Sequence, residues 1–296
     1  MDWFTSFPAM NDASLTALKK AIDEGFRAFT RAYGASFELM FEPLKVFMIW
    51  VERIMTTTPW PIVLIAILAI AWLASRSVKI VVGAGLALFA IGYFGMWDDS
   101  MKTIAMIVVA TLTAVVVGIP IGIVMSFSKR LRSVVTPILD VMQTMPSFVY
   151  LIPVVMLLGI GKVPGLIAVV VYALPPVIRL TDLGIRLVDR DVIEAADAYG
   201  SSRRQRLLHV QLPLALPTIM AGVNQTIMMA LSMVVIASMI GVQGLGQPVL
   251  KAIANQYFTL GVFNGFAIVG IAIIFDRVSQ EYGRRLQKHL EVVHGH

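Results

Sequence analysis

The sequence predicts an all-α membrane protein, on three observations. Of its 296 residues, 58% are apolar and 14% charged, about half the charged share of a soluble domain. Mean hydropathy is +0.81, which implies more apolar surface than a soluble globule of this size can hide. Apolar runs recur at lengths near the about 20 residues that a helix needs to cross a hydrocarbon core of about 30 Å. The composition excludes a disordered chain. The absence of Cys excludes a disulfide scaffold and a zinc-thiolate site. An excess of 24 Lys and Arg over 18 Asp and Glu reads, in a membrane protein, as basic cytoplasmic loops rather than a nucleic-acid surface.

Residues 1–58 differ in kind from the rest. Leu15, Leu18, Ile22, Phe26, Phe29 and Tyr33 recur at spacings of three and four, one helix face. Phe37, Met40, Leu44, Phe47, Val51 and Ile54 continue it, with a break expected at Pro43. Interspersed charges, from Lys19 to Arg53, argue against a crossing. The segment reads as an amphipathic helix on the membrane surface, or as a helical hairpin packed on other subunits.

Seven stretches then qualify as spans: Pro59–Ala74, Val78–Trp97, Met101–Phe127, Ile138–Ile160, Val163–Ile178, Pro217–Gly241 and Leu260–Phe275. The first begins too far along the chain, and lacks the cleavage site, for a signal peptide. Pro146, Pro153, Pro175 and Pro176 predict bent helices packed inside a bundle, where freed backbone groups find partners. Gly118 and Gly122 form a G-x-x-x-G packing notch. One alternation of loops collects Arg76, Lys79, Lys129, Arg130, Arg132, the arginines from Arg179 to Arg206 and the tail from Arg277 to Lys288; the other short loops hold only Lys102, Lys162 and Lys251. The basic side is the cytoplasmic one. This places the C-terminus inside and residues 1–58 outside. It divides the chain into 1–58, a membrane domain at 59–276 and a basic tail at 277–296.

The longest polar interruption, 181–213, carries the most information. Asp191 and Glu194 read as a capping box, with a short helix over Glu194–Tyr199 that Gly200 ends in a left-handed conformation. Ser201 or Ser202 can cap a second helix bearing Arg203, Arg204 and Arg206; Pro213 is expected to stop it, and Pro217 to open the next span. Two short helices meeting at an angle suit a docking knob for a partner protein.

Glu194-Ala195-Ala196, three residues, Gly200, nine residues, Val210, one residue, Leu212-Pro213 resembles the EAA loop of ABC-importer permeases, with Val where that pattern has Ile. The runs Asp140–Pro153, Ala173–Leu180, Gln211–Thr226 and Leu231–Ile240 are similar to the permeases of glycine betaine/proline betaine importers, which also take choline, carnitine and related methylated amines. The likeness covers about Met101–Arg284. It implies a type I ABC-importer permease fold of about seven transmembrane helices in the bacterial inner (plasma) membrane. It also implies a coupling role for Glu194, Ala195, Ala196, Gly200, Leu212 and Pro213. The expected partners are two cytoplasmic ATP-binding-cassette subunits, an extracytoplasmic substrate-binding protein and a second copy of the permease, within the lipid bilayer. ATP and Mg belong to the partner ATPase, and no cofactor is expected in this chain. Uptake of such osmolytes implies osmoprotection.

The nearest approach to a phosphate loop, Gly159-Ile-Gly161-Lys162-Val163, lacks the first Gly and the hydroxyl residue, so ATP hydrolysis is not expected here. His209, His289, His294 and His296 form no metal motif, the last two reading as a disordered tail, and no nucleophile–base pair supports an enzyme. Asp140 and Asp276 read as interface ion pairs near Arg132 and Arg277, or as functional intramembrane carboxylates. Asn224, Gln225 and Ser232 either tie helices together or line a path. Phe148 and Tyr150 are path candidates, because aromatic faces stabilise quaternary ammonium groups; core packing is their other role. Gly241, Gly244 and Gly246 resemble the glycine-rich entrance loop of these permeases and are candidates for an outer gate. An ion-coupled secondary transporter of small osmolytes, using Asp140 or Asp276, is the alternative, and an osmotic channel a further one. Neither has an ATPase for an EAA loop to engage.

Overall fold

The computed structural model describes residues 9–294, with side chains described to Gln287. Among the described residues it is helical, without strands. The helices are α1 (Asp12–Thr57), α2 (Trp60–Ser75), α3 (Val78–Tyr93), α4 (Trp97–Phe127), α5 (Lys129–Thr144), α6 (Leu151–Leu158), α7 (Lys162–Arg186), α8 (Arg190–Ala198), α9 (Arg203–Arg206), α10 (Leu212–Ala237), α11 (Gly246–Asn255) and α12 (Phe258–His294).

Four continuous helical stretches are long and apolar enough to cross a membrane alone: Trp97–Phe127, Lys162–Arg186, Arg203–Ile240 and Phe258–Gln287. Two more form bent pairs: α1 with α2 at 116°, and α5 with Ser147–Leu158 at 113°. The 16-residue α3 completes the set. Its length of about 24 Å is under the thickness of a typical hydrocarbon core. All seven expected stretches are largely helical, but the fourth is bent rather than straight. Met145 is extended (φ −67°, ψ 133°), as a residue before proline prefers, and Pro146 begins a 3-10 turn at Ser147–Tyr150 in a new direction.

Helices α4, α7 and α10 form the centre. Their small residues let the backbones approach, as membrane helices without a hydrophobic drive between them require. A Cβ on Gly122 of α4 would lie 2.6 Å from the Thr181 Cβ and 2.7 Å from the Ile178 carbonyl oxygen of α7. A Cβ on Gly222 of α10 would lie 2.9 Å from the Leu180 Cβ. The G-x-x-x-G notch is a packing surface. Pro175 and Pro176 are buried in α7, as expected, whereas Pro146 and Pro153 sit exposed on the bent arm.

The N-terminal segment is one helix rather than a hairpin. Pro43 lies inside α1 without breaking it, because contacts near and beyond it hold the helix: Leu44, Val51 and Met55 pack on the main core and Met48 is buried in it. Lys162, at the start of α7, donates to Glu52 of α1 at 2.6 Å. His294 is the last residue of α12, where a disordered tail was expected; His296 lies outside the described residues.

Candidate functional site

The loop joining α7 to α10 builds a compact knob. Asp189, not Asp191, caps α8: its carboxylate accepts the Asp191 N–H at 3.0 Å. The capping box expected at Asp191 does not form, because the helix starts two residues earlier than that motif requires. At the other end Gly200 has φ +78°, the left-handed conformation that a β-carbon disfavours. The Ser201 N–H reaches the Ala196 carbonyl at 3.1 Å and the Gly200 N–H reaches Asp197 at 2.9 Å. These two bonds are a Schellman motif and satisfy carbonyls that the helix end leaves open.

Ser202 then caps α9 reciprocally. Its Oγ accepts the Gln205 N–H at 3.3 Å, and the Gln205 side chain accepts the Ser202 N–H at 2.9 Å. Arg206 donates to both Asp197 carboxylate oxygens at 2.6 and 2.8 Å, tying α9 to α8. The knob rests on a small apolar core of Ile185, Val188, Ala215 and Ile219, with Ile193 and Leu212 against it. Glu194 and Ala195 face outward, Ala196 is half-buried, and Tyr199 is 93% exposed at the tip. Tyr199 was not singled out in the sequence, where nothing local distinguishes a packed aromatic from an exposed one.

Pro213 does not stop this helix. Residues Leu207–Gln211 form a π-helical turn that runs straight into α10, with Pro213 directly after it; the proline removes one N–H from the ladder, and the wider turn before it lets the helix continue.

The path candidates divide. Gln225 and Ser232 lie on an open stripe of α10, two turns apart, and Phe148 is exposed on the turn after the α5 break. Asn224 points instead to α12: its amide donates to Asp276 at 3.3 Å and its carbonyl accepts from Ser279. Tyr150 is buried, donates to the Met142 carbonyl and meets Tyr172 edge-on at 5.5 Å. Asp276 accepts from Asn224 and Gln280 rather than pairing with Arg277. Asp140 pairs with Arg179, because Arg132 is taken by Asp182 at 3.2 Å. Asp182 went unnoticed in the sequence; its spacing of four from Arg186 was the available signal.

At the opposite end of α10, Gly241 (φ +87°) and Gly244 (φ +135°) turn the chain. A Cβ on Gly244 would lie 2.5 Å from Thr103 Oγ1, and one on Gly246 2.2 Å from Ser238 Oγ. The Leu245 N–H donates to Thr103 Oγ1 at 3.0 Å, fixing this turn on the first part of α4. Among the described residues no cluster of His, Asp and Glu could hold a metal ion.

Residues 114–288 match the family described as "Binding-protein-dependent transport system inner membrane component". The glycine betaine/proline betaine transport system permease protein ProW of Escherichia coli (strain K12) is 44% identical over 96% of this chain and 82% of its own length. The glycine betaine transport system permease protein OpuAB of Bacillus subtilis (strain 168) is 44% identical over 89% of this chain and 93% of its own. The choline transport system permease protein OpuBB of the same organism is 33% identical over 60% and 82%. Among solved structures, the MetNI methionine ABC transporter in an inward-facing conformation matches with TM-score 0.57 at 21% identity, over 62% of this chain and 93% of that one. That likeness shows a shared fold.

Proposed function

This chain belongs to the family of binding-protein-dependent transport system inner membrane components, and we propose that it is the permease of an ATP-driven importer for glycine betaine, choline or a related methylated amine. Relatives named for glycine betaine and choline transport support the substrate class. One observation carries the mechanism: the 190–206 knob is capped at both helices, exposed at its tip, joined to α7 by only three residues and continuous with α10. Such a knob delivers a partner's displacement to the central helices without absorbing it.

In this reading Glu194, Ala195, Ala196, Gly200, Leu212 and Pro213 shape the dock for two cytoplasmic ATP-binding-cassette subunits, which carry ATP and Mg. An extracytoplasmic binding protein hands substrate to the glycine-rich turn at Gly241, Gly244 and Gly246. The path runs past Phe148, Gln225 and Ser232, completed by a second copy of the chain. Distribution of Lys and Arg puts the knob and the C-terminus in the cytoplasm and α1 outside.

The test uses vesicles reconstituted with permease, ATPase and binding protein, all ion gradients collapsed. ATP-driven uptake of labelled glycine betaine is expected in the parent. Glu194→Lys and Gly200→Asp are expected to abolish it while protein level and substrate capture by the binding protein persist. Gly200→Asp acts by placing a β-carbon at φ +78°. Full uptake in both variants would remove the knob from the coupling role; uptake that needs an ion gradient and no ATP would favour a secondary transporter.

A further inference from the structure

Asp182 is the one charged residue among the described residues that is fully buried, at 4% exposure. A buried charge is tolerated only when paired and hydrogen-bonded, and this one is paired twice. Its Oδ2 accepts from Arg186, one turn along α7, at 2.9 and 3.1 Å. Its Oδ1 accepts from Arg132 Nε of α5 at 3.2 Å. The same Arg132 donates through Nη2 to the Met125 and Ser126 carbonyls, at 3.3 and 3.2 Å, in the last turn of α4. Cations are favoured at a helix C-terminus, where carbonyls are unpaired. One guanidinium therefore joins three helices. Two turns further along α5, Asp140 pairs with Arg179 of α7, one turn from Asp182. The two crossings have opposite polarity, Arg to Asp and Asp to Arg, so a slip of α5 along α7 breaks both.

This latch stands between the knob and the bent arm. Only Leu187, Val188 and Asp189 separate α7 from α8, and Val188 is buried. At its other end α5 breaks at Met145 and Pro146, just before Phe148. We propose that Arg132 and Asp182 are positioning residues for transport: they make α5 move with α7, so that displacement of the knob reaches the break at 145–146 and shifts the Phe148 turn. The inference rests on the importer reading above.

The test exploits the two kinds of ion pair that Asp182 makes. In the complete reconstituted complex, R132Q cuts the link between helices and R186Q cuts only the link within α7. R132Q is expected to lower uptake per ATP hydrolysed about tenfold, inside the usual range of coupling between sites, with the ATPase rate held near that of the parent. R132K, which keeps the charge, regains part of the coupling, and R186Q keeps it. Equal losses in R132Q and R186Q, or none in R132Q, would overturn the proposal. The chain has no Cys, so spin labels at S133C and L187C, both at exposed positions, report the α5–α7 distance without background, even if R132Q does not assemble. In the labelled parent that distance should stay constant between the nucleotide-free and ATP-bound states; a change would overturn the latch. Absence of ATP-driven uptake in the parent itself would instead overturn the importer reading, a separate outcome.

Discussion

Glycines in this chain occupy opposite environments, and the same substitution should act oppositely on them. In Gly122 a new β-carbon meets α7 backbone and the Thr181 side chain below 3 Å, so Gly122→Ala forces helices apart and should cost about 1–3 kcal/mol. In Gly25, exposed on α1 with nothing within 4 Å, Gly25→Ala should stabilise by about 0.5–1 kcal/mol, since glycine is a poor helix residue. Thermal unfolding of the purified variants in detergent reads both; a lower melting temperature for Gly25→Ala or none for Gly122→Ala would contradict the packing described. At this scale the sequence was legible where chemistry is local. The left-handed Gly200 and the cap at Ser202 depend on neighbours within a few residues. Asp182 was not legible, because its interhelical partner Arg132 is 50 positions away and charge alone does not say which arginine the fold delivers. The partner of Asp140 was misjudged for the same reason.

Among the elements, α10 and α12 are joined by a polar cluster of Asn224, Asp276, Ser279 and Gln280. Asn224→Ala leaves Asp276 with a single side-chain donor, and should cost about 0.6 kcal/mol, the average for such bonds in a membrane protein, and at most about 1.7 kcal/mol. The expected result is a lowered melting temperature with uptake retained; lost uptake at unchanged stability would put Asn224 in the path. Gln225→Ala should show the complementary behaviour, with stability kept and maximal uptake rate reduced, because its side chain lies on the open stripe of α10. The misread elements share one cause. Pro43 and Pro213 look like stops, yet tertiary contacts carry α1 through the first, and a wider π-helical turn directly before the second lets the helix run on despite the lost N–H.

For the whole molecule, the proposed orientation makes a simple forecast. A reporter active only outside the cytoplasm, fused ahead of α1 without adding a span, should be active, and one fused after His296 silent. The opposite result at the N-terminus alone would mean that part of α1 crosses the membrane. The fold class was readable from composition and run length, because lipid imposes both on any helix that spans it. The bend between α5 and the Phe148 turn was less so: Asp140, Gln143 and Thr144 interrupt the apolar run without fixing a direction, and only Met145-Pro146 marks the corner.

Arg203–Ile240 is a single helical stretch of 38 residues, about 57 Å from end to end. Hydrocarbon occupies only about 30 Å of that length, so the stretch is a beam whose one end is the proposed dock and whose other end is the Gly241 turn. A tilt of about 5° at the dock carries the far end through about 5 Å, given that length, enough to displace a side chain from its neighbours. The π-helical turn at Leu207–Gln211 places an extra residue at the root of the beam, where such a turn can relax toward α-geometry and rotate what lies beyond it. Leverage and torsion would then enter at the same point, and the Gly241 turn, pinned to Thr103 through Leu245, is where they would be felt.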